Sequence, residues 1–110
     1  MAFKFNPFTG NLDIVNAVVT VESKSADFTA EDKKTYLVDS SGGAVIVTLP
    51  APKTGAKITV KDIGSAETNP VIVQTDNLLT EDIDESDTVG ITSNYGSITV
   101  ASDGSNWFII

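Results

Sequence analysis

The chain has no histidine, no cysteine and no arginine, and each absence removes a class of chemistry. Without histidine the usual general base near neutral pH is missing. Without cysteine as well, the Ser-His and Cys-His nucleophile pairs and the common zinc ligand sets are gone. No disulfide framework can form, and nothing hints at a redox compartment. All seven basic residues are lysines, so the planar fork that grips phosphate or carboxylate at two points is lacking. Against them stand 15 Asp and Glu residues, a net charge of -8 and a pI near 4.1. That balance argues against nucleic acid and against an anionic membrane as partners, and it favours solubility. No segment approaches the roughly 18 unbroken apolar residues of a membrane helix. The first residues also lack the basic region, apolar run and cleavage site of a signal peptide, so the expectation is synthesis in a cytoplasm and use in soluble form.

What remains is ample for one folded domain. The chain has 110 residues, 41% of them hydrophobic, with a mean hydropathy of +0.08. That is enough for a core and leaves little room for a second domain. Three of the five phenylalanines, Phe3, Phe5 and Phe8, fall in the first eight residues. Burying one Phe is worth about 1.5–3 kcal/mol, and a terminus is where order is hardest to hold. Pro7 excludes a helix interior and biases Asn6 toward an extended conformation, while Thr9-Gly10-Asn11 reads as a turn. The segment 1–16 therefore reads as an extended arm. It either folds back on its own domain or docks on another protein by strand addition or by seating its rings in pockets. A domain this small has little core to absorb three extra aromatics, which favours docking through Phe3, Phe5, Phe8, Leu12 and Ile14.

Residues 17–110 read as a single all-β domain. Short β-branched runs alternate with Gly, Asp, Asn, Ser and Pro, and no helical periodicity lasts three turns. Ala17 to Glu22 suits a strand. Asp27 to Asp32 suits a single helical turn or a loop, capped by Asp27 or Thr29 and pinned by Phe28. Tyr36–Asp39 and Ala44–Leu49 flank Ser40-Ser-Gly-Gly43, which predicts a hairpin. Lys57 to Ile63 alternates, with Ile58, Val60 and Asp62 on one face, and the alternation lapses at Ile63, which suggests a bulge near Asp62. Val71–Thr75 suits a strand covered on both faces. Val89–Thr92 and Gly96–Ser102 follow, and Asp103-Gly104 turns the latter into Asn106–Ile110 as a second hairpin. The apolar ending Trp107-Phe-Ile-Ile110 predicts a paired, buried last strand. The expected fold is a small antiparallel β-sandwich or barrel with an extended N-terminal arm.

The sequence offers no catalytic residue and no cofactor or metal site. In the acidic stretch Glu81–Asp87, Asp82, Asp84 and Ser86 alternate as at the start of a calcium loop. The glycine and the bidentate glutamate such a loop needs are absent, so a solvated acidic loop is expected. Asp39 and Asp62 fit ordinary turn roles, and no enzyme is expected. Trp107, Tyr36 and Tyr95 are the aromatics a sugar-binding surface would use. Trp107 opens an apolar strand and suits the core, whereas Tyr95, between Asn94 and Gly96, suits an exposed surface contact.

The run Tyr36-Leu-Val-Asp-Ser-Ser-Gly-Gly-Ala-Val-Ile-Val-Thr-Leu-Pro-Ala-Pro-Lys-Thr-Gly55 resembles a module of tailed-bacteriophage structural proteins. The resemblance continues in Ile58-Thr-Val-Lys-Asp62, Asn94-Tyr-Gly-Ser97 and Ser102-Asp-Gly-Ser-Asn-Trp107. Phe5-Asn-Pro-Phe-Thr-Gly-Asn-Leu-Asp13 is similar to a leader on phage virion proteins. The likeness spans most of the chain from about Phe5, apart from the acidic loop, and its turn-and-strand motifs transfer no catalytic residue. It implies a β-rich, commonly trimeric module of capsid-decoration, head-fibre or tail-fibre type. The resulting expectation is a virion protein, assembled in the host cytoplasm, that decorates or cements the capsid as a homotrimer. Its partners would be itself and the major capsid protein or another virion protein. The alternative is a receptor-binding or spike module that recognises host glycan.

Overall fold

Alternating burial along short β-branched segments fixes the architecture. The computed structural model describes residues 20–110, and these form nine strands and no helix. The arm 1–16, with Phe3, Phe5, Phe8, Leu12 and Ile14, lies outside the described residues. The strands are β1 (Thr20–Lys24), β2 (Phe28–Thr29), β3 (Lys34–Val38), β4 (Val45–Thr48), β5 (Lys57–Asp62), β6 (Val71–Gln74), β7 (Thr88–Ile91), β8 (Ser97–Ser102) and β9 (Trp107–Ile109). In β4, β5 and β6 every second residue is buried, because successive side chains of a strand point to opposite faces.

The strands form a five-stranded sheet, β1-β3-β5-β8-β9, and a four-stranded sheet, β2-β4-β6-β7. Their inward residues share one core. Tyr36, Val38, Ile58, Val60, Val100 and Trp107 come from the first sheet, and Val45, Val47, Val71, Val73 and Ile91 from the second. Trp107 and Tyr36 are its largest fully buried side chains. Phe28 leans on Tyr36 with ring centroids 4.7 Å apart, which closes the β2 side of the core.

Pairing directions differ from the antiparallel expectation. The pairs β1–β3, β3–β5, β2–β4 and β4–β6 are parallel, while β5–β8, β6–β7 and β8–β9 are antiparallel. From β1 to β6 the chain changes sheet at every step, so each strand meets its next neighbour only after a crossover and runs in the same direction. The Ser40–Gly43 turn does form, with Gly43 N–H donating to Ser40 O at 3.1 Å. It joins strands of different sheets, however, so the expected hairpin is a corner across the core. The β8–β9 hairpin forms as expected, but the expected burial of the last strand holds for Trp107 alone, because at this sheet edge Phe108, Ile109 and Ile110 are exposed.

Two further expectations are corrected. Residues 27–32 hold no helical turn: Phe28 and Thr29 pair with Val47 and Thr48, and the Asp27 carboxylate accepts from Ile46 N–H at 2.8 Å instead of capping a helix. A partner strand satisfies backbone groups that one isolated turn would leave open. The acidic stretch is also more than a solvated loop. Ile83 is fully buried and bridges both Ser86 and Trp107. Trp107 N–H donates to Asp82 O at 2.8 Å, and Asp84 N–H donates to Trp107 O at 3.1 Å. A single well-placed isoleucine ties this acidic segment to the edge of the larger sheet.

Candidate interaction surfaces

The loops at one end of the two sheets converge on Asp62. This residue points inward from β5 beside Ile58 and Val60 and is fully buried. Burial alone would raise its pKa. Four donors outweigh that and hold the carboxyl below its ordinary range: Tyr95 N–H at 3.1 Å, Gly64 N–H at 3.1 Å, the Ser40 hydroxyl at 3.0 Å and Ala66 N–H at 3.3 Å. The buried Ser40 hydroxyl also accepts from Ser65 N–H at 3.2 Å, and Asn69 Nδ2 donates to Ser40 O at 2.9 Å. One carboxylate thus fixes three loops. A β-carbon at Gly64 would lie 2.5 Å from both Asp39 Oδ1 and Ser40 N, so the close approach of two of these loops requires glycine there.

Tyr95 stands on this platform. Its backbone lies in the left-handed region at φ 61°, which costs a non-glycine residue about 1–3 kcal/mol and persists only where neighbours enforce it. The enforcing contacts are the N–H bond to Asp62 and a bond from Lys61 Nζ to Tyr95 O at 2.7 Å. The Lys61 ammonium also sits 5.8 Å from the ring centroid, within cation–π reach. The ring is 64% exposed. Its flat apolar face and hydroxyl tip suit stacking against a sugar ring or a partner side chain. By contrast, Tyr36 and Trp107 are buried, and the Tyr36 hydroxyl accepts from Glu31 N–H at 2.8 Å. They belong to the core.

The outward faces of the two sheets form a second kind of surface. On the five-stranded sheet, the register lines up Val21, Thr35, Thr59 and Thr99 across β1, β3, β5 and β8. Ile110 N–H continues that row by donating to Thr99 O at 2.9 Å. Ser23, Leu37, Lys61 and Ser97 form the next row, and Lys57, Ala101 and Phe108 lie on the other side. The Thr59 and Thr99 hydroxyls meet at 3.0 Å. On the four-stranded sheet the outward rows are Thr29, Thr48, Gln74 and Thr88, then Ile46, Ile72 and Gly90. Neither face carries an aspartate or glutamate among the described residues. The carboxylates sit in loops, on the inward side of β1 (Glu22), or inside (Asp62).

A third feature is the loop 76–87, where Asp84 and Glu85 both have positive φ in a tight turn between Ile83 and Ser86. Positive φ at both central residues is what a type I′ turn demands. Leu79 on this loop is 95% exposed and Leu78 is also exposed. The Asp84 carboxylate accepts from Ile109 N–H at 3.2 Å. Among the described residues no group of three or more Asp or Glu side chains is arranged to hold a metal ion.

Sequence reasoning singled out Tyr95 and missed its support by Asp62, Lys61 and Gly64. The lapse of alternation after Asp62 marked the place, because an inward carboxylate at the end of an apolar row needs donors from its surroundings. Comparison with protein-family models finds no match, and comparison with curated proteins finds none.

Proposed function

We propose that the chain is a non-enzymatic structural subunit of a tailed-phage virion that decorates or cements the capsid as a homotrimer. In this reading a small β-sandwich body carries an extended arm, 1–16, whose Phe3, Phe5, Phe8, Leu12 and Ile14 seat on the major capsid protein or a neighbouring subunit. The observation that supports it best is the absence, among the described residues, of carboxylates from both outward sheet faces of a chain with a net charge of -8. Carboxylates scattered over those faces would repel the acidic surface of every approaching copy, whereas carboxylates confined to loops and edges leave the faces free to be covered. The resemblance of Tyr36–Gly55 and Phe5–Asp13 to phage modules supports the same reading. Three arms on one trimer would act at high effective concentration, so weak individual docking sums to firm attachment. Deleting residues 1–15 should leave the body folded and trimeric while abolishing attachment to particles. Saturation of bare capsids by the truncated protein would contradict the arm's role.

Tyr95 favours a second reading, a receptor-binding module for host glycan. A strained, exposed ring held by a buried carboxylate is the kind of local cost that recognition sites retain. Specific binding on a glycan array, lost in Tyr95→Ala with folding intact, would favour this reading over decoration.

A further inference from the structure

We infer that the outward face of the five-stranded sheet is the seat for loop 76–87 of a second copy of this chain. The inference rests on the homotrimer reading and assigns its contact. Charge is the first argument. Among the described residues the face presents Lys57 and Lys61 and no carboxylate, and neither lysine has a carboxylate partner, whereas Lys24, Lys33 and Lys34 do. The loop presents Asp76, Asp82, Glu85 and Asp87 to solvent and contains no lysine. A face-to-face pairing of two identical sheets would bring four lysines together, while a loop-to-face pairing sets opposite charges against one another.

Apolar complementarity is the second argument. Leu79 is 95% exposed, and the β9 edge of the face offers Phe108 and Ile110, exposed by 42% and 69%. Burial of these three side chains in one contact removes exposed apolar groups from water together. Third, the loop is preorganised. Ile83 is buried, and the loop's backbone is hydrogen-bonded to Trp107, so little ordering is needed when it docks. The loop joins β6 to β7 of the four-stranded sheet and meets the five-stranded sheet only at the β9 edge, so the donor and acceptor surfaces on each copy are different. Such head-to-tail contacts close into rings when the rotation permits, which fits a cyclic trimer.

Charge reversal tests this on the full-length chain, with sedimentation equilibrium as the readout and circular dichroism to verify folding. Lys57→Glu with Lys61→Glu should weaken association at least tenfold. Asp76→Lys with Asp82→Lys should do the same, and the quadruple variant should recover association. Leu79→Asp should also weaken it, and raising salt should weaken the wild type. Folded charge-reversed variants that associate as tightly as wild type would overturn the inference and leave the homotrimer standing. Loss in both double variants without recovery in the quadruple variant would overturn it as well. A wild-type chain that stays a single protomer at every concentration would overturn the homotrimer reading itself.

Discussion

Asp62 and the loop 76–87 use the same side-chain chemistry in opposite ways. At Asp62 one carboxylate is fully buried and accepts four hydrogen bonds that hold three loops together. On the loop, Asp76, Asp82, Glu85 and Asp87 face solvent, and the buried anchor is Ile83. The first arrangement concentrates stability in one charge, since each bond to a charged acceptor is worth about 1.5–3 kcal/mol and an abandoned buried donor costs about 1–3 kcal/mol. The second gains almost no stability from its charges, which stay in solvent. The contrast separates residues that hold the fold from residues that display a surface.

The largest expected effect is at the buried end. Asp62→Ala removes an acceptor from four donors and should cost at least about 3 kcal/mol, read as a shift of the urea midpoint. Gly64→Ala forces a methyl into the Asp39–Ser41 turn and should cost about 2 kcal/mol in the same experiment. Both changes should also lower the protection of Tyr95 N–H from hydrogen exchange.

Acid should separate the two regions further. Asp62 is held low by its donors despite burial, Asp39 by the Ser41 hydroxyl and N–H, and Asp103 by the Asn106 and Ser105 N–H groups. A carboxylate whose folded pKa lies below its unfolded value, near 3.9, contributes its stability fully above that pH. It loses that contribution as pH falls through the folded value. Stability should therefore be flat near neutral pH and decline below about pH 4, and Asp62→Asn should flatten much of that decline. An unchanged slope in the variant would mean that Asp62 does not carry the acid response.

The smallest effects are expected on the loop. Leu79→Ser should change protomer stability by no more than about 0.5 kcal/mol, because the side chain is almost wholly solvated. Glu85→Gly relieves a positive φ at the cost of a floppier unfolded chain and should stabilise by at most about 1 kcal/mol. A loss of several kcal/mol from either change would show that the loop carries folding energy after all.

Strands were legible wherever period-2 alternation was clean, as in Lys57–Asp62 and Val45–Thr48, because one buried face dictates that pattern. Sheet membership was not legible. Ser40-Ser-Gly-Gly43 turns the chain equally well into a hairpin or across the core, and only the partners of β3 and β4 decide between them. The 27–32 segment looked like a helix start because Asp27 and Thr29 are good caps, yet the Asp27 carboxylate found Ile46 N–H instead. The carboxylate-free faces could be recognised only once the register was known. In sequence, Thr35, Thr59 and Thr99 are separated by more than twenty residues at each step, and pairing places them side by side.

Sedimentation equilibrium of the intact wild-type chain tests most directly whether these bare faces exist to be covered by other copies. The expected result is a mass three times that of the 11.6 kDa protomer, falling as salt rises. A single 11.6 kDa species at every concentration and salt would contradict it.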